Sequence, residues 1–190
     1  MNIGFALCGS FCTFEKVFPV MDALAKQHNV FPIFSTNACS TDSRFGRGTD
    51  FVHRAEEICE KEAITSLSQA EPIGPKKMLD ILLIAPCTGN TLAKLAHSIA
   101  DTPVTMAAKS HLRNARPVLL AVSTNDGLAG AAENIGRLLN RKHCFFVPFG
   151  QDDSAEKPTS LIADFSQIPA AIDAATAQIQ LQPVLIAAAR

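Results

Sequence analysis

One segment decides the fold of this 190-residue chain: Ile81-Leu82-Leu83-Ile84-Ala85-Pro86-Cys87-Thr88-Gly89-Asn90-Thr91. Its first five residues are apolar on both faces of an extended chain, a pattern typical of a central strand in a parallel sheet. The next six residues predict a polar turn. Apolar residues then recur at the spacing of one helix face, at Leu92, Leu95, Ala96 and Ile99. The segment therefore predicts a buried strand, a loop and a helix in succession.

The same alternation continues on both sides of this segment. We predict further strands at residues 3–7, 30–34, 118–122 and 145–147. Helices are predicted at residues 14–25, around 51–59, at 103–111, about 128–139 and about 167–179, with Thr13 and Thr49 as N-caps and Pro19 as a bend. Residues 35–49 and 150–158 are polar and predict loops. The alternation predicts the α/β class: a doubly wound parallel sheet with helices on both faces, as in Rossmann-like or flavodoxin-like three-layer sandwiches.

Length and composition limit the classes of protein. We predict a single domain over residues 1–190 with a short tail from about residue 181. The formal net charge of −1 argues against a nucleic-acid partner, and no apolar stretch approaches the ~20 residues of a membrane span. The amino terminus lacks the charged region of a signal peptide. Six cysteines form no C-x-x-C pair, which favours free thiols in a reducing cytoplasm over disulfides or a metal site.

Four predicted loops carry the residues that favour a phosphate ligand. In parallel sheets, ligands bind outside the carboxyl ends of the strands, where glycine, small hydroxyl residues and helix N-termini can approach a phosphate closely. Ordinary helix capping explains any one such loop, but it explains four together less well. The candidate cofactor-binding residues are Gly9, Ser10, Ser35, Thr36, Thr88, Gly89, Asn90, Thr91, Ser123, Thr124 and Asn125.

Two common nucleotide motifs are missing. The dinucleotide pattern G-x-G-x-x-G has only Gly9 available after the first strand, and the P-loop pattern G-x-x-x-x-G-K-[ST] does not occur. These absences argue against a standard NAD site and against a P-loop nucleotide hydrolase. A mononucleotide such as FMN remains the expected ligand.

The central segment resembles a known signature. Residues 85–96, A-P-C-T-G-N-T-L-A-K-L-A, followed by I-A-D at 99–101, are similar to the A-P-x-[ST]-x-N-T-x-A-K-x-A…A-D signature of the FMN-binding flavoprotein superfamily, which includes cysteine decarboxylases. The resemblance implies FMN contacts from Ser10, Thr88 and Asn90, with help from the backbone of Gly9 and Gly89.

The chain departs from the decarboxylases of that superfamily in two places. They carry a catalytic His shortly before the central strand, whereas residues 65–80 here contain no His. They also carry P-A-M-N after the next strand, where this chain has A-V-S-T-N-D-G at 121–127. Decarboxylase activity is therefore not expected.

Other strings resemble the B-subunit family of dipicolinate synthases: R-F-G at 44–46, A-E-P-I-G-P-K at 70–76, A-V-S-T-N-D at 121–126, F-V-P-F-G-Q-D at 146–152 and L-Q-P-V at 181–184. This resemblance implies an oxidoreductase subunit in the mother-cell cytoplasm of a sporulating bacterium. It would act with the A-subunit of dipicolinate synthase, which carries an NAD(P)-type domain, to oxidise a dihydrodipicolinate-type intermediate to dipicolinate. The superfamily also implies a homo-oligomer. The alternative is a non-catalytic partner that stabilises or activates the A-subunit while keeping a vestigial flavin pocket.

The implied substrate is a planar ring with two carboxylates, which needs cationic partners, preferably arginine. Arg44 and Lys76 are favoured because each lies in a glycine-containing loop near a predicted strand end, although a solvated surface charge is the competing interpretation. His53 and His97 are expected to be structural, and no catalytic acid or base is assigned. The candidate substrate-binding residues are Arg44, Lys76, Lys109 and Arg113.

Overall fold

The structure is a computed structural model that describes residues 1–187. Its strands are β1 (Asn2–Leu7), β2 (Asn29–Phe34), β3 (Ile81–Cys87), β4 (Val118–Thr124), β5 (Cys144–Phe146), β6 (Phe149–Asp153) and β7 (Lys157–Ala163). The first five strands are parallel and lie in the order β2-β1-β3-β4-β5, which is the flavodoxin order. The last two form an antiparallel hairpin, and β7 pairs with the end of β4.

The centre of the sheet is the core of the protein. All seven residues of β3 are buried. Phe5 of β1 lies beside Leu83 of β3, and Leu83 lies beside Leu119 of β4. Burial of a large apolar side chain contributes roughly 1.5–3 kcal/mol to stability. The continuous apolar runs in these three strands therefore fix the sheet, and with it the positions of the loops at its ends.

Helices cover both faces of the sheet. They are α1 (Phe14–Ala25), α2 (Thr36–Ser40), α3 (Gly48–Cys59), α4 (Leu67–Ala70), α5 (Gly89–Ala96), α6 (Pro103–Leu112), α7 (Ala132–Leu139) and α8 (Ile168–Thr176). On one side α1 packs against α3, and α8 lies over β3 and β4. On the other side α5 packs against α6 and α7, and α6 packs against α4. The predicted three-layer α/β fold is confirmed.

Two predicted loops contain regular structure, so those predictions are wrong. Residues 35–49 include α2, which forms because the Ser35 hydroxyl accepts a hydrogen bond from the Ala38 N–H and caps the helix. Residues 150–158 belong to the β6–β7 hairpin. Its turn is closed by the Asp153 carboxylate, which accepts hydrogen bonds from the backbone N–H groups of Ala155 and Glu156.

Several predicted helix ends also differ. Thr13 is the N-cap residue of α1 as predicted, but its hydroxyl donates to the Ser10 carbonyl and makes no capping hydrogen bond. The helix α1 runs through Pro19 without a break. The N-cap of α3 is Arg47 rather than Thr49. Residues 127–131 form turns, where the Asp126 carbonyl accepts hydrogen bonds from two N–H groups, so α7 begins only at Ala132.

The described part of the tail runs along the outer edge of the hairpin. The Phe149 N–H donates to the Val184 carbonyl, and the Ile186 N–H donates to the Phe149 carbonyl. The rest of the predicted tail, residues 188–190, lies outside the described residues. Within residues 1–187, no helix has both the length and the apolar character needed to cross a bilayer.

Candidate functional site

A cleft runs along the edge of the sheet where the parallel strands end, which we call the carboxyl edge. It has two adjoining parts, of about 300 Å³ and about 920 Å³. We call them the polar compartment and the wide compartment. Both are lined by the four residues Gly9, Phe11, Thr88 and Asn90. The loops after β1 and β3 therefore form the wall between them.

The polar compartment is built from two helix starts. Ser35 precedes α2, and Thr88 caps α5 by accepting a hydrogen bond from the Thr91 N–H. The N–H groups of a first helical turn have no partners within the helix and carry partial positive charge. The hydroxyl of Thr36 and the amide of Asn90 also line this space. This set fits a phosphate group, because helix-start N–H groups and hydroxyls can donate hydrogen bonds to it. Lys94, whose ammonium pairs with Asp101 at 2.8 Å, also lines this space.

Gly89 holds the α5 start tightly against the loop after β4. A Cβ atom at this position would lie 2.7 Å from Thr124 Oγ1 and 2.7 Å from Asp126 Oδ1. The Thr124 hydroxyl donates a hydrogen bond to that carboxylate. Only glycine leaves room for these two side chains. Gly89 therefore allows the loop after β3 to pack closely against the loop after β4.

The wide compartment combines apolar walls with charged side chains. Leu161 and Ile162 of β7 line it together with the rings of Phe11 and Phe45. The hydroxyls of Ser10 and Ser123 are hydrogen-bonded at 2.9 Å, which links the loops after β1 and β4. Its charged residues are Arg44, Asp126, Asp152 and Lys157. The lining thus places two cations and two carboxylates beside apolar walls that can contact a planar ring.

The structure brings together the eleven residues predicted to bind a cofactor. Each of them lines one or both compartments: Gly9, Ser10, Ser35, Thr36, Thr88, Gly89, Asn90, Thr91, Ser123, Thr124 and Asn125. Their roles in binding stay predictions. Of the four candidate substrate-binding residues, Arg44 alone lies in the cleft.

Lys76, Lys109 and Arg113 lie at the opposite edge of the sheet from the cleft. The segment before β3 is anchored at the start of β1, where the Asp80 N–H donates to the Asn2 carbonyl. The end of α6 packs on that segment, since the Asn114 side chain donates to the Gly74 carbonyl. Parallel strands begin at this edge, so these three residues lie away from both compartments of the same chain. Their role in substrate binding stays a prediction.

Sequence reasoning missed four charged residues of the cleft. Lys94 of α5 lines the polar compartment. Asp126 lies in the loop after β4, but the sequence did not show which way its side chain points. Asp152 and Lys157 lie on the hairpin that was predicted to be a loop. An antiparallel prediction for residues 149–163 would have placed both beside the end of β4, and so at the carboxyl edge.

The cysteines near the cleft differ in exposure. Cys8 is buried beside Thr91, and burial raises the pKa of its thiol to about 11. Cys87 is also fully buried, and burial raises its pKa well above the ordinary value. Both are therefore neutral thiols at pH 7. Cys12 is exposed and lines the wide compartment.

The histidines lie outside both compartments. His97 joins α5 to α7, because its Nε2 lies 3.0 Å from the Arg137 guanidinium. His111 is buried in α6, and burial, followed by the charge of Arg116, lowers its pKa to about 4. Within residues 1–187, no group of three or more His, Cys, Asp or Glu side chains could hold a metal ion.

Comparisons with known proteins agree with the fold. A family model described as Flavoprotein matches residues 1–174. The chain is 47% identical over 186 residues to the dipicolinate synthase B-subunit of Bacillus subtilis (strain 168), which covers 97% of this chain and 93% of the relative. The crystal structure of the dipicolinate synthase B-subunit from Bacillus halodurans C has a TM-score of 0.90 at 41% identity, covering 99% of this chain and 97% of that one.

More distant structures share the fold alone. The FMN-dependent cysteine decarboxylase SpaF has a TM-score of 0.67 at 20% identity, covering 94% of this chain and 96% of that one. DmrB from Burkholderia xenovorans, in complex with FMN, has a TM-score of 0.66 at 15% identity, covering 90% and 93%. The family match over residues 1–174, together with the 47% identical relative, shows that the chain belongs to the flavoprotein family.

Proposed function

We propose that this chain binds FMN in the cleft and acts as one subunit of an oxidoreductase that converts a dihydrodipicolinate-type intermediate to dipicolinate. The observation that carries the proposal is the donor set of the polar compartment beside a wide compartment with apolar walls. The name of the 47% identical relative, a dipicolinate synthase B-subunit, supports dipicolinate as the product. Membership of the flavoprotein family supports the cofactor.

The two compartments match the two chemical ends of FMN. Ser35, Thr36 and the start of α5 would hold the phosphate through N–H and hydroxyl donors. Phe11 and the loop after β4 would flank the ring system in the wide compartment. Bound FMN supplies an acceptor for the two electrons that leave the substrate ring as it becomes aromatic. The protein contributes binding and orientation.

The chain does not act alone in this proposal. A second polypeptide, corresponding to the A-subunit of dipicolinate synthase and carrying an NAD(P)-type domain, would take part in the oxidation. Self-association and a role in the mother-cell cytoplasm during sporulation belong to the same proposal. Both relatives are named as one subunit of a synthase, which supports the existence of a partner.

Substitution of Asn90 tests the cofactor site. Asn90 lines both compartments, so Asn90→Ala removes an amide that faces the ligand from the start of α5. We expect the affinity for FMN, measured by quenching of flavin fluorescence, to fall by roughly tenfold, as for loss of a hydrogen bond to a charged group. Asn140→Ala is the matched control, because Asn140 is exposed at the end of α7. Equal FMN affinity in the two variants would contradict a cofactor role for Asn90.

Assays with the A-subunit of dipicolinate synthase separate catalysis from simple stabilisation. In the proposed function, the Asn90→Ala chain supports less dipicolinate formation than wild type, and added FMN restores part of the loss. If the A-subunit reaches full activity with the Asn90→Ala chain and without flavin, the chain is a non-catalytic partner instead. Dipicolinate formation is followed by its ultraviolet absorbance.

A further inference from the structure

The wide compartment is lined by two cationic side chains, and they come from different parts of the chain. Arg44 lies in a tight turn over residues 43–46, which is closed by a hydrogen bond from the Gly46 N–H to the Ser43 carbonyl. Lys157 is the first residue of β7, on the hairpin that joins the end of β4. Residues more than a hundred positions apart thus supply positive charge to one cavity of about 920 Å³.

Arg44 is available to a ligand. Its guanidinium lies 4.9 Å from the centre of the Phe45 ring, a cation–π contact between two residues that both line the compartment. Within residues 1–187, Arg44 forms no ion pair. Its guanidinium therefore has no carboxylate partner among those residues, and arginine can bind a carboxylate in a bidentate manner.

Lys157 is held in place by a partner that a ligand can replace. Its ammonium lies 2.9 Å from the Asp152 carboxylate, and the two side chains are 59% and 31% exposed. The hydrogen bond and the charge of Asp152 raise the pKa of Lys157, so the ammonium stays charged at neutral pH. Exposed pairs of this kind contribute little to stability, so breaking or sharing the pair is inexpensive.

The hairpin fixes the backbone position of Lys157. Lys157 lies opposite Asp153 in the antiparallel register, and the Asp153 carboxylate closes the turn between them. The Gln151 side chain also donates to the Pro158 carbonyl across the two strands. Because the turn and the strands are tied in this way, Lys157 is carried by a defined backbone rather than by a free loop.

We propose that Arg44 and Lys157 form a two-point anion site that selects a planar dicarboxylate, with one carboxylate bound by each cation. In the ligand-free protein the Asp152 carboxylate pairs with the Lys157 ammonium, and a carboxylate of the ligand replaces Asp152 in this pair. The apolar side chains of Leu161 and Ile162 would contact the ring between the carboxylates. This inference rests on the proposed function, since it names the specificity-determining residues of the same cleft.

Calorimetric titration of the full chain tests the site with two probes that differ in a single carboxylate. Pyridine-2,6-dicarboxylate is compared with pyridine-2-carboxylate, with and without saturating FMN. We expect Lys157→Gln to weaken dicarboxylate binding about tenfold and monocarboxylate binding less than threefold, because a single carboxylate can still use Arg44. Lys142→Gln is the control, because Lys142 is exposed and precedes the start of β5 at the opposite edge. Equal dicarboxylate affinity in Lys157→Gln and Lys142→Gln would overturn the inference.

A second variant tests the role of Asp152. Asp152→Asn removes the competing carboxylate while keeping the size of the side chain, so we expect dicarboxylate affinity to rise several-fold. Unchanged or weaker binding would show that Asp152 does not compete with the ligand, and would overturn that part of the proposal.

The same titrations distinguish failure of this inference from failure of the proposed function. If wild type binds the dicarboxylate in neither the FMN-free nor the FMN-saturated state, the two-point site is wrong whatever FMN does. If the chain never binds FMN but discriminates the two probes through Lys157, the two-point site holds and the flavin proposal fails.

Discussion

Replacement of Gly89 by alanine tests the packing on which the cleft depends. A Cβ at position 89 would lie 2.7 Å from both Thr124 Oγ1 and Asp126 Oδ1, whereas ordinary contacts begin at 3.4 Å. Each oxygen would have to retreat by about 0.7 Å, and Thr124 is stiff because it is β-branched. Their mutual hydrogen bond would be strained or lost, at a cost of roughly 0.5–1.5 kcal/mol.

The net effect on stability follows from two opposing terms. Overpacking costs typically 1–3 kcal/mol, while a Gly→Ala change in a compatible backbone gains about 0.4–1 kcal/mol. We therefore expect Gly89→Ala to lower the free energy of unfolding by about 1–2 kcal/mol, and Tm by roughly 2–8 °C for a chain of this size. FMN affinity should fall by about tenfold, because the loop after β4 shifts at the cleft wall.

Gly136→Ala is the matched control. Nothing lies within 4 Å of a Cβ at position 136 in α7, so alanine should raise stability by about 0.5–1 kcal/mol. Thermal unfolding and flavin fluorescence quenching are measured for both variants and for wild type. A shift of Tm in the same direction for the two alanine variants, or wild-type FMN affinity in Gly89→Ala, would contradict this role of Gly89.

Two further predictions concern residues outside the two-point site. Burial lowers the pKa of His111 to about 4, so the unfolded state takes up its proton first, and stability should fall by roughly 2–3 kcal/mol as the pH drops from about 6.5 to 4. His111→Leu should make the denaturation midpoint less dependent on pH over that window. An unchanged pH dependence would contradict the effect of burial on His111. Brief alkylation followed by mass spectrometry should label the exposed Cys12 before the buried Cys8 and Cys87, and FMN should slow the labelling of Cys12. Labelling of Cys87 faster than that of Cys12 would mean that the end of β3 opens to solvent.

The sheet and the cofactor loops were predictable because their signals are local. Burial on both faces leaves a continuous apolar run such as residues 81–85, and small polar residues after it mark the carboxyl end of a strand. All eleven predicted cofactor-binding residues therefore line the cleft. Chain order alone was enough to bring the four loops to one edge.

The missed features depend on the context of the whole fold. The hairpin strands β6 and β7 are only partly buried, so Gln151, Asp152 and Lys157 give a polar pattern that also fits a loop. Lys76 was considered a substrate contact because glycine and proline mark a turn there, but a turn alone does not tell which edge of the sheet it occupies. The direction of the Asp126 side chain is fixed by Thr124 and the space left by Gly89, which no spacing rule contains.

Comparison of FMN with riboflavin measures the central claim most directly. The two ligands share the flavin ring and differ in the phosphate, which the polar compartment is proposed to hold. Titration of the purified full chain, followed by flavin fluorescence, should give saturable binding of one FMN per chain and riboflavin binding weaker by about a hundredfold, as expected from losing several charge-assisted hydrogen bonds. Equal affinity for the two flavins, or no saturable binding of FMN, would contradict the account.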